Sequence, residues 1–183
     1  PLAYAVQGDV ARVQLYGPGE GRLSHPAAGT LVLRQHTGYP FEGDISLEVE
    51  PEREATFELR LRIPSWAEGA TVAVNGEAVR VPLVPGTFAA IRRHWRAGDQ
   101  VQLLFPLRPT LHRQVLRNVQ ESRAPDGSAV HQQVLDLHYV GMTRGPLVYA
   151  TELVDGFKTE ETVRLPDGPQ DDWLQVLPVT DED

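Results

Sequence analysis

Apolar residues recur at every second position in the middle of the chain: Phe57, Leu59, Leu61 and Ile63 alternate with Glu58, Arg60 and Arg62, and Val101, Leu103, Phe105 and Leu107 repeat the pattern. Such a period turns one face of an extended segment towards a core and the other towards water, so both stretches predict half-buried β-strands. Ile45, Leu47 and Val49 against Ser46, Glu48 and Glu50 predict a third strand over 44–50, and Thr30 to His36 one before it, with Thr37-Gly-Tyr-Pro-Phe41 as the bend between them. Val10 to Tyr16 predicts a short first strand stopped by Gly17-Pro18-Gly19, followed by a loop to Gly29. Pro64, lacking a backbone donor, ends the strand before it. Asn75-Gly76 between Thr71–Val74 and Ala78–Val81 is the sharpest local signal, because a two-residue type I′ turn needs positive φ at both central positions. Phe88 to Arg92 predicts the next strand, and Trp95 leads into an Ala97-Gly98-Asp99 turn.

Beyond Leu107 the pattern weakens. Leu111, Val115, Leu116 and Val119 also fit a helical face, but the turn signal Asp126-Gly127 and a strand-like run from Val130 to Val140 favour a long hairpin with an exposed tip. Gly145 to Ala150 predicts a further strand, Pro166 to Asp172 a polar loop, and Asp181 to Asp183 a frayed tail. Regular strands separated by turn signals predict an all-β fold, an antiparallel β-sandwich of jelly-roll type, with room for a smaller second β unit and at most one short helix. The main sandwich is expected over 1–109. Residues 110–183 then supply a hairpin and closing strands that complete it or form a small second β unit.

Composition removes several functions. At 183 residues and 41% hydrophobic content the chain can bury a core of its own. No run reaches the ~18 apolar residues of a membrane span, and the N-terminus lacks the order of a signal peptide. The net charge of −8 comes without a Lys or Arg block that could track a phosphate backbone, so neither nucleic acid nor membrane is an expected partner. There is no Cys, which excludes disulfides, thiolate metal sites and cysteine nucleophiles from this chain. Zero Cys suits either redox compartment, and a soluble cytoplasmic protein is the default expectation. A chain that starts at Pro1 reads as a piece of a longer protein.

Five ordered motifs carry a resemblance. Leu-Arg-Gln-His-Thr-Gly-Tyr-Pro-Phe (33–41), Leu-Arg-Ile-Pro-Ser-Trp-Ala (61–67), Val-Asn-Gly-Glu (74–77), Arg-His-Trp-Arg-Ala-Gly-Asp-Gln-Val (93–101) and Thr-Arg-Gly-Pro-Leu-Val-Tyr-Ala (143–150) resemble the C-terminal part of the β-L-arabinofuranosidase family, glycoside hydrolase family 127 and its relatives. The resemblance implies a parent in which an (α/α)6 barrel carries the active site and β-sandwich material follows it. It also implies a Cys nucleophile, a Glu and a zinc ion held by Cys and Glu in that barrel. With no Cys, none of those roles transfers to a residue of this chain. The expected cofactor of this piece is therefore none, with zinc left to the parent's barrel.

The residues themselves offer little chemistry. Glycoside hydrolysis usually takes two carboxylates about 5–10 Å apart in one cleft, but Glu48 and Glu50 lie on the wet row of their strand, and adjacent Glu160 and Glu161 would point apart. The histidines at 25, 36, 94, 112, 131 and 138 lack the spacing of a zinc site. Asp99 reads as a turn residue. No catalytic and no metal-ligating residue is therefore expected here. Aromatic rings are the remaining route to function. Tyr39 and Trp173 are the candidates for stacking on sugar, and Tyr39, Phe41 and Trp66 for packing on the barrel, while Trp66 and Trp95 also suit caps on the core. Two functions follow as expectations: a non-catalytic sandwich bracing its own N-terminal catalytic barrel, or a carbohydrate-binding module with a glycan as partner. A strand-rich domain that self-associates through its edges is a third.

Overall fold

The computed structural model describes residues 3–120, 123–128, 130, 133–149 and 164–176. His131, Glu160, Glu161 and the tail from Asp181 lie outside them. The chain divides into two compact units, Pro1–Arg108 with Gly145–Leu147, and Pro109–Arg144 with Val148–Asp183.

The first unit is a sandwich. One sheet has the order β1-β2-β6-β9, from β1 (Tyr4–Gln7), β2 (Val10–Val13), β6 (Ala55–Arg62) and β9 (Phe88–Trp95). The other runs β3-β4-β5-β10-β7-β8, from β3 (Gly19–His25), β4 (Gly29–Thr37), β5 (Asp44–Pro51), β10 (Asp99–Leu104), β7 (Thr71–Val74) and β8 (Glu77–Ala78). Alternate residues of both sheets enter one core: Val13, Phe57, Leu59, Leu61 and Ile91 from the first, and Leu31, Leu33, Ile45, Leu47, Val49, Val72, Val101 and Leu103 from the second. Burial thus follows the two-residue period of the sequence, because each strand has one face against the opposite sheet. Outward positions carry charge. Arg34 bridges Glu20 on β3 and Glu48 on β5, where the register sets all three side by side.

Three features depart from the sequence reading. The loop expected between Gly17 and Gly29 is the strand β3, hydrogen-bonded along β4. Its stretch Gly-Glu-Gly-Arg-Leu-Ser-His has only Leu23 as a large aliphatic, so no period shows. The volume on its inner side comes from another strand: a Cβ on Gly21 would lie 2.4 Å from the Tyr4 ring. A strand β1 also precedes the first expected one, turning at Gly8, whose φ is 61°. The sandwich is not wholly antiparallel either, since β2 pairs in parallel with β6.

In the second unit, β11 (Pro109–Gln120) and β12 (Gln133–Arg144) pair antiparallel over their whole length, as the long-hairpin reading expects, and β13 (Leu147–Tyr149) adds to β12. A 3-10 turn, Gln170–Asp172, follows. The Gln170 carboxamide donates to the Pro109 carbonyl at 2.5 Å and accepts from the Leu111 N–H at 3.2 Å, taking the place of a neighbouring strand on β11. Among the described residues no helix is long and apolar enough to cross a membrane.

Candidate functional site

The conspicuous grouping is a set of rings at one end of the sandwich, assembled by four separate turns. Tyr16 follows β2, Tyr39 lies in the bend between β4 and β5, Trp66 follows β6, and Phe105 follows β10. Trp66 stacks almost parallel on Tyr39 at 6.5 Å and stands edge-on to Phe105 at 5.7 Å. Tyr16 meets Phe105 at 5.3 Å and Tyr39 at 6.2 Å, both edge-on. Offset stacks and T-shaped contacts are the geometries that the ring quadrupole favours.

Local backbone bonding holds each ring. The Thr37 hydroxyl donates to the Asp44 carbonyl at 2.6 Å and accepts the Tyr39 N–H at 3.0 Å, which pins the bend. The Ala67 N–H closes a turn onto the Pro64 carbonyl at 3.0 Å, and Trp66 leaves from that turn. The Tyr16 hydroxyl donates to the Arg62 carbonyl at 2.7 Å. Burial, reinforced by the neighbouring Tyr39, pushes the Tyr16 phenol far above its ordinary pKa, so it stays a neutral donor. Burial raises Tyr39 as well. At Gly145 a Cβ would lie 2.5 Å from Leu107 and 3.3 Å from Trp66, so this glycine closes on the same cluster. Phe41, two residues after Tyr39, is 69% exposed.

Beside Tyr16 lies a shallow depression of about 250 Å³ bounded by Tyr4, Leu15, Gly17, Pro18, Glu20 and Gln35. The Gln35 amide nitrogen donates to the Tyr4 hydroxyl at 2.7 Å and to the Leu15 carbonyl at 3.2 Å. Glu20 is the carboxylate on its rim, and it is occupied by Arg22 and Arg34. One engaged carboxylate cannot serve as the acid and base of glycoside hydrolysis.

Other expected residues are placed apart. Glu48 accepts from Arg34 on the outer face. Trp95 is wholly buried, and its indole N–H donates to the Phe57 carbonyl at 3.2 Å, so it caps the core. Trp173 belongs to the second unit and is half-buried, with its indole nitrogen sealed from solvent. His25 is buried against Phe57, and its Nδ1 accepts the N–H groups of Ala27 and Ala28, which puts the ring proton on Nε2. His94 stands between Thr56 (3.4 Å) and Glu54 (3.2 Å) in the order of a hydroxyl, base and carboxylate. All three side chains lie in the open and Arg96 shares Glu54, so nothing excludes water or stabilises an oxyanion there.

Among the described residues no three His, Asp or Glu side chains converge as metal ligands. With no Cys in the chain, the donor set does not fit the thiolate zinc centre that the resemblance implies. Tyr16 and Phe105 escape sequence reasoning because each reads as one more member of an alternating run. Only the turns after β2 and β10 bring them to Tyr39 and Trp66.

Comparison with known proteins agrees with this architecture. The chain is similar to the non-reducing end β-L-arabinofuranosidase of Bifidobacterium longum subsp. longum, 28% identical over 145 residues that make up 77% of this chain and 20% of that protein. The crystal structure of a GH127 β-L-arabinofuranosidase from Geobacillus stearothermophilus T6 superposes with a TM-score of 0.58 at 33% identity, covering 80% of this chain and 21% of that one. A structure described as a glycoside hydrolase gives 0.57 at 29% identity, over 80% and 22%. The chain thus spans about a fifth of the length of these relatives. The profile of the β-L-arabinofuranosidase GH127 middle domain matches residues 11–107, the greater part of the sandwich, and the chain belongs to that family.

Proposed function

We propose that this chain is the non-catalytic β-sandwich of a β-L-arabinofuranosidase-like glycoside hydrolase, and that it braces a catalytic barrel supplied by the rest of the protein. The nucleophile and any zinc belong to that barrel in this reading, since the chain has no thiol and its described residues bring no three ligating side chains together. The observation that carries it is the aromatic end. Tyr39 and Trp66 are only half-buried, although their stack rests on Phe105, and Phe41, two residues after Tyr39, is largely exposed. Preassembled rings with an exposed apolar neighbour are what one domain offers another at an intramolecular interface.

Three measurements test it. The 183-residue chain is expected to leave an aryl β-L-arabinofuranoside uncleaved, and turnover by the purified chain would end the proposal. Phe41→Ser is expected to lower the melting temperature of the whole enzyme by several degrees more than that of the isolated chain. An unchanged whole enzyme would place the brace elsewhere. Saturable binding of arabinan oligosaccharides to the isolated chain, lost in Trp66→Ala, would replace bracing by carbohydrate binding.

A further inference from the structure

The Asn75-Gly76 turn carries a chemical liability. Asn75 has φ 53° and Gly76 φ 81°, the pair of positive values that a type I′ turn requires. The same dipeptide is the one most prone to deamidation, because a glycine has no side chain to hinder attack by its backbone nitrogen. On losing its proton, the Gly76 nitrogen adds to Cγ of Asn75 and a new C–N bond closes a five-membered succinimide. The bond from Cγ to the carboxamide nitrogen breaks and that nitrogen leaves as ammonia. Water then opens the ring at either carbonyl, giving aspartate or isoaspartate.

In the folded chain the carboxamide is held away from this path at both ends. Its Nδ2 donates to Oδ1 of Asp99 at 2.7 Å, and its Oδ1 accepts the Gln100 N–H at 2.8 Å. The Gln100 N–H can only donate, which settles which end of the amide is oxygen. The Asn75 N–H donates in turn to the Gln100 carbonyl at 2.8 Å. The holder is itself fixed: Asp99 is 7% exposed, and its second oxygen accepts the Arg96 N–H at 2.9 Å. Swinging Cγ onto the Gly76 nitrogen breaks both bonds of the carboxamide, one of them to a charged group and therefore among the stronger kind.

We infer that Asn75-Gly76 is a deamidation site kept shut by the Asp99 clamp. Once converted, residue 75 bears a carboxylate where an amide donor faced Asp99, so the product cannot restore the clamp and the two acids repel. Isoaspartate adds a backbone carbon as well, which a two-residue turn does not accommodate. Loss of the clamp is therefore permanent, and it falls where β7 and β8 meet the turn before β10.

The test follows the amide-to-acid conversion at residue 75 by peptide mapping and mass spectrometry in mildly alkaline buffer. Three samples are compared: the 183-residue chain, a free peptide with the sequence of residues 72–78, and Asp99→Ala. The native chain is expected to convert about tenfold or more slowly than the peptide, the factor that roughly one hydrogen bond's worth of added barrier gives. Asp99→Ala, checked for folding by circular dichroism, is expected to approach the peptide rate. Asp99→Ser serves if the alanine variant does not fold. A native chain as fast as the peptide, or a folded Asp99 variant as slow as the native chain, would overturn the inference.

Discussion

A Cβ on Gly43 would lie 2.0 Å from the carbonyl oxygen of Phe105, a main-chain atom that also belongs to the residue bonded to Gly43 at 2.8 Å. Neither strand end can yield without parting β5 from β10, so Gly43→Ala is expected to destabilise the chain by about 2 kcal/mol or more. Gly17→Ala, where a methyl meets open space, is the control and should stay within about 0.5 kcal/mol in the same urea titration. Asp99 makes a prediction of a different kind. Burial pushes its carboxyl pKa up, but the Asn75 amide, the Arg96 N–H and the charges of Arg93 and Arg96 outweigh it and leave the group below the ordinary carboxylate range. Asp9 and Glu20 are lowered by their arginines in the same sense. Folded pKa values below the unfolded ones mean that the native state binds fewer protons. This stabilisation is present above the carboxylate range and lost on acidification through it. The urea midpoint is therefore expected to hold from neutrality to about pH 5 and then fall, less steeply in Asp99→Asn. At this scale Tyr39, Phe41 and Trp66 could be picked from the sequence as rings beside turns. Tyr16 and Phe105 could not, because a residue that belongs to an alternating run carries no mark of which turn its neighbours will meet.

Among the elements, strands with a large aliphatic at every inward position announce themselves, and β5 and β6 lie where the alternation puts them. β3 does not, since glycine occupies the inward position that the Tyr4 ring fills from a neighbouring strand. The hairpin of β11 and β12 marks the opposite limit. Facing pairs share a side of the sheet, so Val115, Val119, Val134 and Val140 belong to one face and Leu116, Leu135 and Tyr139 to the other, and all are exposed. A sheet apolar on both faces breaks the alternating template, which is why its sequence also fits a helix. With so little burial to hold it, its amides are expected to exchange with deuterium at least about tenfold faster than those of β6 and β9 in the native chain. Equal protection would show that the hairpin shares the stability of the sandwich.

For the molecule as a whole, the five motifs that carry the family resemblance gather at places the sequence does not reveal. Tyr39, Trp66 and Gly145 come from three of them and meet at the aromatic end. Asn75, Arg96 and Asp99 come from the other two and form the polar clamp where β7 turns towards β8. The sequence by itself determined that the chain is built of strands, which residues of β5, β6 and β10 face inward, and that a type I′ turn sits at Asn75, because period and turn chemistry are local properties of the backbone. It also determined that no thiol chemistry belongs here. Only the tertiary structure decided that β2 lies parallel to β6, that β3 is a strand, and that rings distant in the chain share one surface. Those depend on which segments meet across the core, and a contact between residues far apart in sequence leaves no periodic trace in either of them.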